Sequence, residues 1–395
     1  MLIAKKIRLI PTPKQETLFW KSAGVSRWSY NYFLSENEKV YNEYLENNKT
    51  GKSFVKEGEV RKYINNVLKK TTHTWLKEVG SNVMKQGIKD ANKAYQNYFK
   101  GLASKPKFKS KHKSKPSFYV NYESLKRKQG GFHGEKIGFV KTAENLPKLP
   151  NGKKYSDPRI SYDGKYWYIS VGYEIKERKE KLTNKSLGID LGIKDLAVCS
   201  DGKKYKNINK TKRVKILEKR LIKEQHKLSR KINANIKEYK VINKKRYPVW
   251  LKPLKECRNI QKQNQVIRLI HKKLTDIRNN YLHQTTHEIV KTKPSQIVME
   301  TLNVRGMMKN KHLAKAIAEQ KFYEFKRQIR YKCKMLGIKF IEADKWYPSS
   351  KKCSGCGNLK KDLKLSERTY KCDNCGFIID RDLNASINLA NYKLA

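Results

Sequence analysis

The stretch Cys353-Ser-Gly-Cys356-Gly357, followed by Cys372-Asp-Asn-Cys375-Gly376, decides how the rest of the chain is interpreted. Its four cysteines have the spacing C-x2-C-x15-C-x2-C, which is typical of a zinc ribbon. Each pair forms one tight turn, and two such turns place four thiolates around one ion. Each glycine that follows a pair stands where the turn often needs a positive φ. We therefore predict a Zn2+ site whose ligands are Cys353, Cys356, Cys372 and Cys375.

Four unrelated thiols or two disulfides are the alternatives to this zinc site. Nothing marks the chain as secreted, and disulfides are rare in a reducing cytosol. The other three cysteines, Cys199, Cys257 and Cys333, are expected to be small buried apolar residues. Because four cysteines leave no open coordination position, the site is expected to be structural, and any catalysis has to come from other residues.

Three acidic residues stand at the ends of predicted elements. Asp190 ends the apolar strand Leu187-Gly-Ile-Asp190, Glu300 ends Gln296-Ile-Val-Met-Glu300, and Asp382 begins a predicted helix. Three carboxylates from separate elements can hold two divalent ions, which activate water and stabilise the leaving oxygen of a phosphodiester. Taken alone, Asp190 or Glu300 would rather be a capping acid or a partner for one of the many lysines.

In this order, and together with the cysteines, these residues resemble TnpB, the OrfB family of insertion-sequence proteins. The resemblance rests most firmly on Gly-Ile-Asp190-Leu-Gly, Val-Met-Glu300, the two cysteine pairs and Asp-Arg-Asp382-Leu-Asn-Ala. It extends over nearly the whole chain through Pro11–Gln15, Arg27–Asn31, Lys105–Lys109, Asp163–Tyr168 and Tyr347–Lys351. Members of the family are RNA-guided DNA nucleases with a RuvC-like domain, related to type V CRISPR effectors.

The resemblance implies an α/β fold built on an RNase H-like RuvC nuclease domain with an inserted zinc ribbon. It also implies a small N-terminal β-barrel, or wedge, that carries an inserted helical recognition domain. The expected domains are a wedge of residues 1–10 and 101–182, a recognition domain of 11–100, a nuclease domain of 183–346 and 377–395, and a ribbon of 347–376.

The resemblance also implies a mechanism and a set of partners. Asp190, Glu300 and Asp382 would bind Mg2+, with two ions expected. A guide RNA from the end of the element would select double-stranded target DNA beside a short flanking motif, and the chain would be monomeric in the RNA complex. Asp380 competes with Asp382, but the family pattern selects the acid that precedes x-Asn-Ala and leaves Asp380 as a capping residue.

Three other functions stay open at this point. The chain could be an RNA-guided repressor that binds DNA without cutting it, although all three acids are present. It could be a transposase that uses the same metals and needs no RNA. It could also be a plain zinc-ribbon nucleic-acid-binding protein in which the acids have no catalytic role.

The charge of the chain limits its partners. Its 395 residues include 90 Lys and Arg against 36 Asp and Glu, which gives a net charge of +54. This excess predicts a polyanionic partner. A membrane surface is the alternative, but the sequence has no apolar run of about 18 residues and no signal-peptide core. We expect a prokaryotic cytoplasmic protein, associated with the nucleoid, that makes no membrane contact.

Two segments are candidates for nucleic-acid contacts. Asn82, Lys85 and Gln86 fall on one face of a predicted helix, and such side chains can bond to base edges in the major groove. In the resembled family this helical region reads the flanking DNA motif. Lys105, Lys107 and Lys109 begin a run of alternating lysines that could follow phosphates. A solvated polar face and a solvated linker are the respective alternatives.

Periodicity predicts the remaining elements. We expect a strand over 1–10, helices over 14–100 with Thr12 as an N-cap, and strands over 117–180 with a turn at Asp163-Gly164. A helical insertion should cover 212–291, with the apolar stripe Ile216, Leu221, Leu228 and Ile232. A single helix over 314–336 should end at Gly337. His283 and His287 are interpreted as ordinary helix residues rather than metal ligands.

Overall fold

The structure is a computed structural model, which describes residues 1–111, 114–177, 180–242, 245–360, 362–364 and 367–392. The chain divides into two compact units, Met1–Ile175 and Lys176–Ala395. Among the described residues, no helix is long and apolar enough to cross a membrane.

The first unit consists of one strand, a set of helices and six further strands. Its elements are β1 (Leu2–Ile10), α1 (Pro13–Glu46), α2 (Glu57–Tyr63), α3 (Ser81–Phe99), β2 (Ser117–Tyr119), β3 (Lys126–Lys128), β4 (Gly131–Gly134), β5 (Gly138–Thr142), β6 (Ser156–Tyr162) and β7 (Trp167–Glu174). The predicted strand over 1–10 and the predicted helical region after it are confirmed.

The start of α1 follows from its capping residues. The Thr12 hydroxyl accepts a hydrogen bond from the Gln15 N–H at 3.3 Å, and the Gln15 side chain accepts one from the Thr12 N–H at 3.0 Å. Pro13 occupies the first turn, where its missing N–H costs nothing. Gln15 also donates to the Phe139 carbonyl at 2.6 Å, which ties the helix start to the sheet.

Seven strands form the sheet of this unit, in the order β2-β6-β7-β1-β5-β4-β3. Trp167, Ile169 and Val171 of β7 are buried, while the residues between them are partly exposed, as the alternating pattern predicts. Asp163 accepts hydrogen bonds from the N–H groups of Lys165 and Tyr166, and this closes the predicted β6–β7 turn. The strand order is an open one, so the predicted closure into a barrel is not confirmed.

The second unit begins with three strands and continues through two long helices. Its elements are β8 (Ser186–Leu191), β9 (Asp195–Cys199), β10 (Lys204–Lys206), α4 (Lys212–Asn233), β11 (Ile236–Ile242), β12 (Lys245–Trp250), α5 (Arg258–Lys291), β13 (Gln296–Met299), α6 (Val304–Met307), α7 (Ala314–Gln320), α8 (Phe322–Leu336), β14 (Lys339–Glu342), β15 (Thr369–Lys371), β16 (Ile378–Asp380) and α9 (Arg381–Ala390).

The main sheet of this unit has the order β10-β9-β8-β13-β14. β8, β13 and β14 are parallel, and β9 and β10 continue the sheet antiparallel. One face is covered by apolar residues of α5 and α8, such as Ile289 and Phe325, and the other by Leu389 of α9. The α/β arrangement predicted for this half is therefore confirmed. Parallel β8 and β13 also bring their carboxyl ends to the same edge.

Three local predictions for this unit are corrected. The insertion over 212–291 is not wholly helical, because β11 and β12 form a hairpin between α4 and α5. Ile216 does not belong to the inner stripe of α4: it is exposed, and Val214 and Leu217 are buried instead. The predicted helix over 314–336 is broken at Lys321, whose φ of 54° is left-handed and separates α7 from α8.

Candidate active site and zinc centre

Asp190 and Glu300 are brought together by the parallel pairing of their strands. Ile189 of β8 is paired with Met299 of β13, and the two acids are the next residues along each strand. The N–H of Leu191 donates to the Glu300 carboxylate at 3.0 Å, which holds Glu300 against β8. Two of the three predicted acids therefore share one edge of the sheet.

Asp382 reaches the same edge from the first turn of α9. The helix is capped by Asp380, whose carboxylate accepts hydrogen bonds from the N–H groups of Asp382 and Leu383, each at 3.0 Å. The other oxygen of Asp380 is 2.9 Å from the Lys204 ammonium. Burial alone would raise the pKa of Asp380, but these partners outweigh it and lower the pKa. The capping role predicted for Asp380 is confirmed.

Gly188 lets α9 lie directly on β8. A Cβ atom at this position would stand 1.9 Å from the Ser386 carbonyl oxygen and 2.4 Å from the Ala390 nitrogen. The Ser186 hydroxyl donates to the Ala390 carbonyl at 2.7 Å and secures the same contact. The glycine two residues before Asp190 therefore determines how closely the helix that carries Asp382 approaches the strand.

The three acids are close enough to perturb one another. Burial raises the pKa of Asp190 well above its ordinary value, and the charges of Glu300 and Asp382 raise it further. Burial also raises the pKa of Glu300 to about 7, with a further contribution from Asp382. Within the described part of the chain, neither Asp190 nor Glu300 has an ion-pair partner. Asp382 lies 3.4 Å from Arg381 and 3.9 Å from Arg368.

This donor set fits a magnesium site. Three carboxylates from two strands and a helix offer the hard oxygen ligands that Mg2+ prefers. Burial is the main cause of the raised pKa values of Asp190 and Glu300, and the charge of Arg381 opposes the repulsion that neighbouring carboxylates add at Asp190. A divalent ion would relieve that repulsion. The ligand atoms of the four cysteines all lie within 4.8 Å of one another. Among the described residues, this is the single group of three or more potential metal ligands that is so compact, so the three carboxylates are spaced more widely.

The four cysteines form two knuckles with the same hydrogen bonds. In the first, the Cys353 N–H donates to the Asn358 carbonyl and the Gly357 N–H donates to the Cys353 carbonyl. In the second, the N–H groups of Cys372 and Gly376 make the equivalent bonds. Gly357 and Gly376 have φ values of 80° and 69°, so the predicted positive φ is confirmed at both positions.

The sulfur positions fit a zinc ion. The Sγ atoms of Cys353 and Cys375 are 3.8 Å apart, and those of Cys356 and Cys372 are 3.6 Å apart. Four sulfurs at about 2.3 Å from a tetrahedral zinc would be separated by about 3.8 Å. The cysteines are free thiols rather than disulfides. The N–H of Asn358 helps lower the pKa of Cys356 to about 6, which favours the thiolate that a metal needs.

Two asparagines that the sequence prediction did not single out connect the ribbon to α9. The Asn384 side chain donates to the Lys352 carbonyl at 2.8 Å and accepts from the Ser354 N–H at 2.9 Å. Asn388, one turn later, donates to the carbonyls of Ser349 and Lys352. Both residues are buried. Their spacing of four on the helix that carries Asp382 was the signal that could have revealed them.

The predicted DNA-reading residues of α3 differ in how they are held. Asn82, Lys85 and Gln86 are partly exposed. Gln86 donates to the Asp90 carboxylate at 2.9 Å, and Asp90 forms a bidentate pair with Arg159. The Gln86 amide is therefore already engaged within the protein, which leaves Asn82 and Lys85 as the less constrained members of this face.

The lysines after α3 also differ from one another. Lys105 and Lys107 are exposed, and Lys105 lies 3.9 Å from Glu38. Lys109 is held from two sides, because its backbone pairs with the Asn31 amide and its ammonium lies 3.6 Å from the centre of the Tyr30 ring. Lys109 thus has a structural role in this unit. Lys113, later in the same run of lysines, lies outside the described residues.

Comparison with known protein families identifies three matching segments. A family model described as a probable transposase of the OrfB_IS605 type matches residues 170–311. The helix-turn-helix model of the same family matches 1–49, where the structure has β1 and the single helix α1. A Cas12f1-like TNB domain model matches 322–389, which includes α8, the ribbon and most of α9.

Curated relatives match the chain over nearly its full length. A Streptomyces pristinaespiralis protein named "Putative RNA-guided DNA endonuclease" is 29% identical, over 99% of this chain and 89% of its own. The InsQ protein of Escherichia coli K12, with the same description, is 26% identical over 98% and 91%. A solved Cas12f1–sgRNA–target DNA complex covers 100% of both chains at 16% identity, with a TM-score of 0.36.

The family matches lie on the segments that carry the acid cluster, the cysteine knuckles and the N-terminal motifs. The curated relatives extend the likeness across the segments between them. The chain is similar to the TnpB-like OrfB family of insertion-sequence proteins along nearly its full length, as its motifs predicted.

Proposed function

We propose that this chain is an RNA-guided, metal-dependent DNA endonuclease of an insertion-sequence element. The observation that carries the proposal is the meeting of Asp190, Glu300 and Asp382 at one edge of the nuclease sheet. Their mutual repulsion and burial raise the pKa values of Asp190 and Glu300, as expected of carboxylates gathered for a cation rather than for ion pairs. The names of the full-length relatives support the same activity.

The proposed chemistry is hydrolysis of a phosphodiester. Bound at the acid cluster, a pair of divalent ions would supply an activated water and stabilise the leaving oxygen. Asp190 and Glu300 would hold that pair from the ends of β8 and β13, and Asp382 would hold it from α9. The Leu191 N–H keeps the Glu300 carboxylate in place, and the Asp380 cap fixes the first turn that carries Asp382.

Base pairing with a bound RNA would choose the target. A net charge of +54 suits a chain that holds both an RNA and a DNA backbone. Sequence choice by a guide leaves the protein to recognise a short flanking motif and the shape of the duplex. Of the predicted contacts, Asn82 and Lys85 are the proposed readers of that motif, and Lys105 and Lys107 the proposed contacts to phosphates. Gln86 and Lys109 make contacts within the protein and are proposed only as supports for their neighbours. We further propose that one chain acts with one RNA.

A cleavage assay with two matched variants tests the proposal. The chain is co-expressed with the flanking DNA of its element, purified, and offered a duplex that matches its bound RNA beside a randomised flank. Cutting should require Mg2+ and the RNA. Asp382→Asn should abolish cutting, and Asp380→Asn, whose amide oxygen can still cap α9, should keep most of it. Matched binding without cutting by the wild type would instead identify a repressor.

A transposase that joins DNA strands without RNA is the second candidate, because the matching family model is described as a probable transposase. Digestion of the bound RNA distinguishes the two functions. An endonuclease of the proposed kind should lose its activity on RNase treatment and regain it when a synthetic guide is added. Activity that survives RNase, or a preparation with no defined RNA, would favour the transposase.

A further inference from the structure

The hairpin of β11 and β12 forms a sheet of its own. It joins α4 to α5, and no other described strand pairs with it. Isolated two-stranded hairpins are at best marginally stable in water. This one nevertheless exposes large apolar side chains, with Tyr239 54% exposed and Val241 66% exposed. An exposed apolar ribbon of this kind indicates a surface that a partner covers.

The register of the hairpin places an aromatic ring and a cation on each face. Residues paired across antiparallel strands lie on the same side of the ribbon. Tyr239 is paired with Pro248, and Val241 with Arg246, so one face carries Tyr239 and Arg246. Lys240 is paired with Tyr247 on the opposite face. All four of these tyrosine and basic side chains are exposed.

The charge of the flanking helix favours a polyanionic occupant. α4, which leads into the hairpin, has nine Lys and Arg residues and two acids in the sequence KRVKILEKRLIKEQHKLSRKIN. In the described part of the hairpin, Glu238 is the single acid. A membrane-spanning or purely apolar partner would offer no negative charge to these Lys and Arg side chains. A nucleic acid satisfies the rings and the cations together, because bases stack on tyrosine and phosphates pair with Lys and Arg.

Single-stranded segments of RNA fit the ribbon better than duplex DNA does. Bases of a DNA duplex are stacked on one another, whereas the loops and bulges of a folded RNA present unstacked bases to aromatic side chains. The two faces also offer few of the amide side chains that read base edges in a major groove. We infer that the β11–β12 hairpin binds unpaired nucleotides of the RNA that the chain carries, stacking them on Tyr239 and Tyr247. The inference rests on the proposed RNA-guided function.

Hydrogen bonds at the base of the hairpin allow the hairpin to be deleted in a test of this inference. Asn235 and Lys252 are joined by hydrogen bonds of 2.8 and 3.2 Å through the Asn235 side chain, and the Leu251 N–H donates to the Asn235 carbonyl at 2.8 Å. Residues 236–250 can therefore be replaced by Gly-Gly without separating α4 from α5, because Asn235, Leu251 and Lys252 keep these bonds. The contact between these helices, which includes Gln263 and Glu224 at 2.7 Å, lies outside the removed segment.

The experiment measures RNA binding by the full chain and three variants. Tyr239→Ala with Tyr247→Ala, and the Gly-Gly replacement, should each weaken binding of the co-purified RNA on the order of tenfold to a hundredfold. They should also expose one group of nucleotides to 2′-hydroxyl acylation. The matched control, Tyr239→Phe with Tyr247→Phe, keeps both rings and should bind as the wild type does. Ultraviolet crosslinking of the wild-type complex should attach RNA to a hairpin peptide.

Salt dependence separates stacking from phosphate contact. Lys240→Ala with Arg246→Ala should reduce the slope of log affinity against log salt by roughly 1 to 2, whereas the tyrosine variants should leave it unchanged. Unchanged RNA affinity and protection in the alanine and Gly-Gly variants would overturn the inference, whether or not target DNA binding falls. Those results leave the proposed function standing if the variants still cut. A wild-type chain that carries no defined RNA would instead overturn both proposals.

Discussion

The cysteine cluster and the acid cluster are two candidate metal sites in the same unit, and they are assembled in different ways. Each cysteine pair lies in one turn, so two short segments supply all four sulfurs, and the sulfurs are 3.6–3.8 Å apart in the measured pairs. The carboxylates come from β8, from the end of β13 and from α9, and burial, with a further contribution from neighbouring carboxylates, raises the pKa values of Asp190 and Glu300. The first site is a product of local turns, and the second is a product of packing.

The closed cysteine cluster suits a structural metal, and the open acid cluster suits a catalytic one. A closed set of four thiolates binds an ion permanently and stabilises the turns around it. An open set of carboxylates on a well-packed sheet can accept ions together with a substrate, and it is costly for the protein to maintain without them. The connection between them is α9, which carries Asp382 in its first turn and binds the segment of the first knuckle through Asn384 and Asn388.

The largest expected effect is the unfolding of the ribbon when a cysteine is replaced, because the cysteine cluster contributes to folding and the acid cluster does not. Cys372→Ser should release the zinc and unfold the ribbon, because structural zinc contributes about 10–16 kcal/mol in comparable small sites. Metal analysis should find about one zinc per wild-type chain and none in the variant. Limited proteolysis should then cut within 347–380. Cys257→Ser, at a cysteine outside the cluster, is the matched control and should keep its zinc.

Asp190→Asn should abolish activity while leaving the fold intact, whereas Cys372→Ser disrupts the fold of the ribbon. DNA cleavage should fall roughly a thousandfold or more, which corresponds to an increase of about 4 kcal/mol in activation free energy. The reason is the loss of one carboxylate ligand of the two metal ions. Zinc content and RNA binding should stay at wild-type levels, and thermal stability should not fall, because burial disfavours the charged form of Asp190. Asp195→Asn, which changes an acid at the start of β9 in the same sheet, is the control. Equal cutting by Asp190→Asn and the wild type would remove Asp190 from the site.

The pH dependence of stability provides a third comparison. Glu300 has a folded pKa of about 7, above the value of about 4.3 expected when unfolded. Between these values the folded chain holds a proton that the unfolded chain has released, so stability falls as pH rises through this window. Without divalent ions, Glu300→Gln should therefore be more stable than the wild type by about 3–4 kcal/mol at pH 8.

The same variant should show little difference near pH 3, where Glu300 is protonated in both the folded and the unfolded state. Chemical denaturation at both pH values, in the presence of a chelator, measures the two differences. Added Mg2+ should stabilise the wild type more than the glutamine variant at pH 8. A difference that is the same at both pH values would show that Glu300 titrates normally.

The smallest effect concerns the contact that joins the clusters. Gly188→Ala would place a methyl group 1.9 Å from the Ser386 oxygen, so α9 has to move away from β8. We expect a loss of about 1–3 kcal/mol in unfolding free energy, typical of overpacking, together with reduced cutting. Gly24→Ala, in open space on α1, is the control and should stabilise by about 0.5–1 kcal/mol. Wild-type stability of Gly188→Ala would contradict the close packing.

Features that depend on a few neighbouring residues were predictable from the sequence. The Thr12 cap, the Asp163-Gly164 turn, the alternation of β7 and the positive φ of Gly357 and Gly376 all follow from short segments. Features that depend on competition between segments were not. The Lys321 break lies inside a continuous apolar pattern, and nothing local required Ile216 to point away from the inner face of α4.

The hairpin between α4 and α5 was missed for a related reason. The predicted helical insertion over 212–291 includes Tyr247-Pro-Val-Trp250, whose proline indicates no more than a break between helices. The alternative, an exposed strand in a sheet of two, has a weak sequence signal because neither face is buried in a core. Only the backbone pairing with β11 shows that the interruption is itself a structured element.

The sequence by itself determined the four clustered cysteines, the Thr12 helix cap, the strand alternation and the three candidate acids, because each of these is recognised from a short segment of the chain. The tertiary structure alone decided that β8 and β13 run parallel, that α9 rests on Gly188, and that burial and neighbouring carboxylates raise the pKa of Asp190. Those properties arise from distances between atoms far apart in the chain, and packing sets such distances only after the whole unit has folded.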